Sequence, residues 1–169
     1  MDWEDVAMRL PEEYRHELPE AYEFVYDDFD VGEYVSDPEE VTDADLKPMV
    51  FIAGPYSSPY PVYNMRRSMG WYDVLAESDV VAPHCPHWTG FQDLVLPQEY
   101  ENWLELDKQF VRRSDAMLRL KGDSSGADGE VELMEDLERP VFYEEPSDGE
   151  KGYTDLLEWA VDWIDEKNS

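Results

Sequence analysis

The run Ala116-Met117-Leu118-Arg119-Leu120, followed by Gly122-Asp123-Ser124-Ser125-Gly126-Ala127-Asp128-Gly129-Glu130 and then Val131-Glu132-Leu133-Met134-Glu135-Asp136-Leu137, reads as a strand, a loop and a helix. A short apolar run fits a buried strand, and the apolar spacing after Glu130 has a helical period. A Gly/Ser loop between the two presents free backbone N–H groups and hydroxyls, which suit a phosphate or a sugar. This reading puts Glu130 in the first turn of the helix, beside whatever the loop holds.

The same alternation extends in both directions. Upstream, Met49-Val50-Phe51-Ile52-Ala53 reads as a buried strand, followed by a loop from Gly54 to Pro61 and a helix from Tyr63 to Glu77. A second strand is expected over Asp79 to Pro83, then a loop with His84, Cys85, His87 and Trp88, then a helix from Gln98 to Arg113. The third strand spans Asp115 to Leu120. Downstream come a fourth strand, Pro140 to Tyr143, and a last helix, Tyr153 to Glu166, with Leu156, Leu157, Ala160, Val161 and Ile164 on one face. Strands alternating with helices predict an α/β fold with a parallel sheet and flanking helices. Ligands of such folds bind beyond the carboxyl ends of the strands, where the strand order reverses. The loops after Ala53, Pro83 and Leu120 all fall at that edge.

Residues 1–47 read differently. Pro11-Glu12-Glu13-Tyr14 and the stretch from Pro19 to Tyr26 each suit a short helix with proline near its first turn. Asp37-Pro38 and Lys47-Pro48 are turn or linker signals. The expected organisation is an acidic helical arm over 1–47 and an α/β domain over 48–169.

The chain carries 42 acidic and 13 basic side chains, a net charge of −29. Phosphate contacts need Lys and Arg, so nucleic acid is not an expected partner. Hydrophobic residues make up 42% of the chain, which argues against wholesale disorder. An acidic surface over an ordinary core points to a cytoplasm of high salt, where screening reduces self-repulsion. The acid is uneven: residues 1–45 carry 17 acidic and 2 basic groups, residues 46–120 carry 9 and 7, and residues 121–169 carry 16 and 4. The middle third is thus the part able to accept an anionic ligand. A single cysteine, Cys85, excludes an internal disulfide framework. No apolar run is long enough for a membrane span, and Met1-Asp2-Trp3-Glu4-Asp5 lacks the features of a signal peptide.

Asp107 is the sharpest single observation. It falls inside the apolar stripe of its helix, three residues after Leu104 and four before Val111. A carboxylate on that face is costly unless it is paired or functional, so the choice lies between a working group and an ion pair with Arg66, Arg67 or Arg112. Glu130 has its own bland explanation, since acidic residues are favoured in a first helical turn. Together the two make the pair of carboxylates used to break glycosidic bonds. Ser57, Ser58, Ser124 and Ser125 lie in loops facing the same edge, or are ordinary turn serines. Gly54 and Gly126 permit close backbone approach. In His84-Cys85-Pro86-His87 a second ligand pair is missing, so no metal is expected. His84, His87 and Trp88 are candidates for lining the site, and Cys85 has no convincing base partner.

These residues together resemble the nucleoside 2-deoxyribosyltransferase superfamily, in particular its small virus- and phage-borne members. The resemblance covers roughly residues 49–145. It is carried by Phe51-Ile52-Ala53-Gly54-Pro55-Tyr56-Ser57, by Asn64 and Arg66, by Ala82-Pro83-His84 and by Trp103-Leu104-Glu105-Leu106-Asp107. The segments Ser114 to Leu120 and Ser124 to Glu130 complete it. It implies a flavodoxin-like, Rossmann-like sheet and a homo-oligomer whose neighbours help complete the pockets. It also implies cleavage of the N-glycosidic bond of a 2′-deoxynucleoside or its 5′-monophosphate, with no cofactor. The nucleophilic Glu maps onto Glu130, and the Asp that contacts the sugar and assists proton traffic maps onto Asp107. Transferases of this kind carry an Asp where this chain has Ser124; the 5′-phosphate N-hydrolases carry Ser there, against the phosphate. Val50 or Phe51 stands where some transferases have a tyrosine. Gly54, Tyr56, Ser57, Ser58, Ser124, Ser125 and Gly126 are then the expected substrate and phosphate contacts. The alternative expectation is a nucleotide-binding or assembly protein that keeps the fold without turnover.

Overall fold

Met49-Val50-Phe51-Ile52-Ala53 forms strand β1 (Met49–Ala53). Its residues from Val50 to Ala53 have no solvent exposure. Val50 and Ile52 join one apolar cluster, Phe51 and Ala53 another. A strand covered on both faces must be apolar at every position rather than at every second one, which explains the unbroken run. The computed structural model describes residues 46–56 and 60–169. The expected arm over 1–47, except Leu46 and Lys47, and the candidate ligands Ser57 and Ser58 lie outside the described residues.

From β1 the chain continues through α1 (Pro61–Glu77), β2 (Ala82–His84), a 3₁₀ turn (Pro86–Trp88) and α2 (Thr89–Val95). It then forms α3 (Tyr100–Val111), β3 (Ala116–Arg119), α4 (Ser125–Asp136), β4 (Val141–Tyr143) and α5 (Tyr153–Lys167). The four strands form one parallel sheet in the order β2-β1-β3-β4. This is the parallel α/β arrangement that the alternation of strands and helices predicts, in the flavodoxin-like, Rossmann-like form that the resemblance implies. Met49 lies opposite Ala82, Val50 opposite Ala116, and Met117 opposite Val141. Asp115 fixes the β1–β3 register: its carboxylate accepts from Met49 N at 2.9 Å, and its own N–H donates to Met49 O at 2.8 Å.

Two layers of helix cover the sheet. Leu75 of α1 and Leu156 and Ala160 of α5 pack with Val50, Ile52, Leu118, Leu120 and Phe142. Val111 of α3 and Ala127 and Met134 of α4 pack with Phe51, Ala53 and Met117 on the other face. A polar hub holds the first layer to the sheet edge. Glu144 accepts from Arg67 Nε at 3.0 Å, from Trp71 Nε1 at 2.8 Å and from Lys121 N at 2.8 Å. Burial works against its ionisation, but these hydrogen bonds hold the Glu144 carboxyl below its ordinary range.

Three expectations are corrected. The second strand begins at Ala82, not Asp79, because Val80 and Val81 pack as an approach to the sheet while pairing with β1 starts opposite Met49. The segment expected to be one loop after His84 contains the 3₁₀ turn and α2, started by Pro86, with Thr89 Oγ1 donating to Pro86 O at 2.7 Å. Helix α4 starts at Ser125, so Glu130 sits in the second turn and not the first. The cap is Ser124, whose Oγ accepts from Ala127 N at 3.3 Å. Among the described residues no helix is long and apolar enough to cross a membrane.

Candidate active site

Strand order reverses between β1 and β3, and a crevice opens beyond their carboxyl ends. It holds a pocket of about 550 Å³, part of it open to solvent. Gly54 and Tyr56 after β1, Pro86 and His87 after β2, and Thr89 of α2 form one side. Tyr100, Trp103, Leu104 and Asp107 of α3 form another, and Ser124, Gly126, Ala127 and Glu130 of α4 close it. The N-terminal part of the α3 apolar stripe, Tyr100, Trp103 and Leu104, therefore faces the pocket, while Phe110 and Val111 pack on the sheet. This is why only Val111 of that helix is buried.

Asp107 and Glu130 meet here from two different helices. Both are half-buried, and neither makes a hydrogen bond or a salt bridge among the described residues. The pairing of Asp107 with an arginine is not formed: Arg67 pairs with Glu144, and burial alone pushes the Asp107 carboxyl up, to about 6. Burial raises Glu130 further, to about 8, with the negative charge of Asp107 adding to the rise and Arg119 opposing it. Position 130, past the first turn, also removes the helix-terminus explanation for this acid, since that stabilisation fades within one turn.

The walls are largely aromatic. Tyr56 and His87 lie with ring centroids 5.8 Å apart, and burial, then the charge of Asp93, raises the Tyr56 hydroxyl. Asp93 is held by Trp103 Nε1 at 2.9 Å and by Gln98 N at 3.0 Å. His87 is buried, with Nε2 2.9 Å from the carbonyl oxygen of Pro55. A carbonyl only accepts, so that nitrogen carries the proton and Nδ1 is left an unprotonated acceptor. That Nδ1 has no hydrogen-bond partner among the described residues, and burial lowers the basicity of the ring.

The other candidates separate clearly. Gly54 approaches the Leu120 side chain closely: a Cβ there would lie 3.1 Å from Leu120 Cβ. Gly126 opens α4 to the pocket, where a Cβ would meet Tyr100 Oη at 3.0 Å. Ser124 lines the pocket but also caps α4. Ser125 is exposed and does not line it. His84 and Trp88 do not line it either. His84 is stacked on Phe110 at 4.2 Å, and Trp88 is 54% exposed and packs edge-on against Tyr72. Cys85 is buried, and burial pushes its thiol up to about 11, which makes it a poor nucleophile. Among the described residues no group of three or more His, Cys, Asp and Glu side chains is placed to hold a metal ion.

Sequence reasoning missed Tyr100, Trp103 and Leu104 as pocket walls, having assigned that stripe to the core. No protein-family model matches this chain, and a search of curated proteins finds no match either.

Proposed function

We propose that this protein cleaves the N-glycosidic bond of a 2′-deoxynucleoside or its 5′-monophosphate, with Glu130 as nucleophile and Asp107 as its proton-handling partner. The observation that carries the reading is the meeting of these two carboxylates, without partners among the described residues, in one aromatic-walled pocket at the switch point of the sheet. With the two groups raised to about 6 and about 8, the pair keeps one proton near neutral pH. One carboxylate and one carboxylic acid are what such a cleavage requires.

Glu130 is the higher of the two, so the free pair carries its proton on Glu130, and the mechanism requires that this proton pass to Asp107 when substrate is bound. A Glu130 oxygen attacks C1′, the C1′–N bond breaks, and its electron pair leaves with the base. Asp107 gives its proton to the departing base as Glu130 becomes esterified to the sugar. Asp107, now a carboxylate, takes a proton from water as that water attacks C1′. The sugar is released and the Glu130 carboxylate restored. An incoming base in place of water makes the same reaction a transfer. Aromatic walls from Tyr56, His87, Tyr100 and Trp103 suit a flat heteroaromatic ring. Gly126 and the Ser124 hydroxyl, at the start of α4, suit a sugar oxygen or a 5′-phosphate. The reading extends to a homo-oligomer in a cytoplasm of high salt. In support, Tyr60, Val62 and Tyr63 at the start of α1 are exposed, and a neighbouring copy is a natural cover for them.

The test is base release, followed by chromatography in multimolar KCl, from a panel of 2′-deoxynucleosides and their 5′-monophosphates. Release by the wild type and none by Glu130→Ala is the expected result. No release from any substrate by the folded wild type overturns the reading in favour of a binding or assembly role.

A further inference from the structure

His87 is a buried group of the pocket that the proposed cleavage does not use. It is 2% exposed and lines the pocket together with Tyr56 and Thr89. Its Nε2–H is spent on the Pro55 carbonyl at 2.9 Å, which fixes one tautomer of the ring and leaves Nδ1 with a lone pair. Burial disfavours the charged ring, so a second proton does not settle on Nδ1. Nδ1 has no hydrogen-bond partner among the described residues. A buried acceptor without a donor is costly, and folded proteins rarely keep one without a use for it.

Thr89 repeats the pattern. Its Oγ1 donates to Pro86 O at 2.7 Å, so its one proton is also spent on a backbone carbonyl and only lone pairs remain for an occupant of the pocket. Both residues belong to the short stretch after β2, His87 in the 3₁₀ turn and Thr89 at the start of α2. What this side of the pocket can offer is therefore acceptors, with the Tyr56 hydroxyl able to serve either way. An occupant that presents N–H hydrogens here gains bonds, whereas one that presents an oxygen sets lone pairs against lone pairs. The two carboxylates come from α3 and α4, on the other walls, which leaves the His87 side to the base. An exocyclic amine carries two hydrogens, and two acceptors suit it.

We propose that His87 Nδ1, with Thr89 Oγ1 beside it in the sequence of the same wall, selects the base: the pocket takes a heteroaromatic base bearing an exocyclic amino group, which donates to Nδ1. The inference rests on the proposed cleavage for the nature of the occupant, and it makes His87 the residue that decides which base is accepted.

The experiment is long-range ¹H–¹⁵N NMR of the histidine rings in full-length Glu130→Gln in KCl, where ligands stay intact. The ligands are 2′-deoxyadenosine and 2′-deoxycytidine, set against the 2′-deoxyribosides of purine and pyrimidin-2-one, which lack the amine and any ring N–H. Each is added as the nucleoside and as its 5′-monophosphate. The chain has three histidines, and the His87 signals are assigned by their loss in His87→Phe. Should that variant fail to fold, His16→Gln and His84→Gln assign them by elimination. The amino ligands are expected to move the Nδ1 resonance upfield, and their counterparts to leave it in place and to bind about tenfold more weakly or worse. His87→Phe is expected to bring the two affinities together, whereas a merely structural role would weaken both alike and preserve their ratio. Equal affinities before the substitution, amino ligands bound without movement of Nδ1, or failure of every ligand to bind overturns the proposal. Movement of Nδ1 without base release by the wild type refutes the cleavage reading alone, and base release without that movement refutes this inference alone.

Discussion

Asp107 of α3 and Glu130 of α4 occupy one pocket, and the negative charge of Asp107 raises the Glu130 carboxyl beyond what burial alone would do. The two side chains therefore titrate as a pair, and removing either changes the other.

The first prediction follows from that coupling. Base release should have a bell-shaped pH profile in kcat/KM, with limbs near about 6 and about 8. Below the lower limb both groups are protonated and no nucleophile remains. Above the upper limb both are ionised and no acid remains. Asp107→Asn should reduce base release by about 10²- to 10³-fold, the usual size of a lost proton-transfer partner. It should also lower the Glu130 midpoint in a carboxyl ¹³C NMR titration, because the charge of Asp107 raises it.

A second prediction concerns stability. Both carboxyls lie higher in the folded protein than in an unfolded chain, so between the two values the folded state binds more protons. Stability should fall as pH rises from 4.5 to about 8, the window set by Glu130. Glu130→Gln removes the Glu130 part of this dependence and leaves that of Asp107. At about 1.4 kcal/mol per pH unit, and with solvent reaching a half-buried group, the variant should gain roughly 1–3 kcal/mol over wild type at pH 9 and little at pH 4. Thermal melts of both proteins at the two pH values check it. An equal difference at both would refute it.

Gly90 supplies a third. A Cβ there would lie 2.6 Å from Met65 Sδ and 2.9 Å from Tyr56 Cε2. Gly90→Ala should push the Tyr56 ring off its place on the pocket wall, raise KM several-fold and cost about 1–3 kcal/mol of stability. Steady-state kinetics and a melt together measure both.

Cys85 gives a fourth. A buried thiol raised to about 11 should resist iodoacetamide at pH 8 in the folded protein and react once denatured. Mass spectrometry before and after denaturation reads this directly.

The sheet was legible because its signals are local. Met49–Ala53 is apolar throughout and is bounded by Pro48 and Gly54, and the strand has those ends. The last helix likewise begins at Tyr153 as its periodicity predicts. Misplacements arose where pairing or capping decides. Val80 and Val81 are as apolar as a strand, but hydrogen-bond partners on β1 exist only from Ala82 onward. Gly126 and Gly129 disfavour a helix by propensity, yet α4 runs through both because Ser124 caps it and Ala127 and Met134 anchor it in the core. Asp107 and Glu130 could be singled out as chemistry-bearing residues from type and spacing. Their convergence was expected from the pairing of roles and from the family resemblance; spacing alone does not give it, since it depends on how α3 and α4 lie on the sheet.

The sheet is upholstered unequally. Among the described residues, eleven buried side chains consolidate the side bearing α1 and α5, against six on the side bearing α3 and α4. Cooperative stability therefore resides mainly behind the crevice, and the two helices presenting Asp107 and Glu130 form the thinner, more easily parted layer. On the proposed function, a flat ring would enter by a small parting of that layer, with the α1–α5 side as a fixed backing.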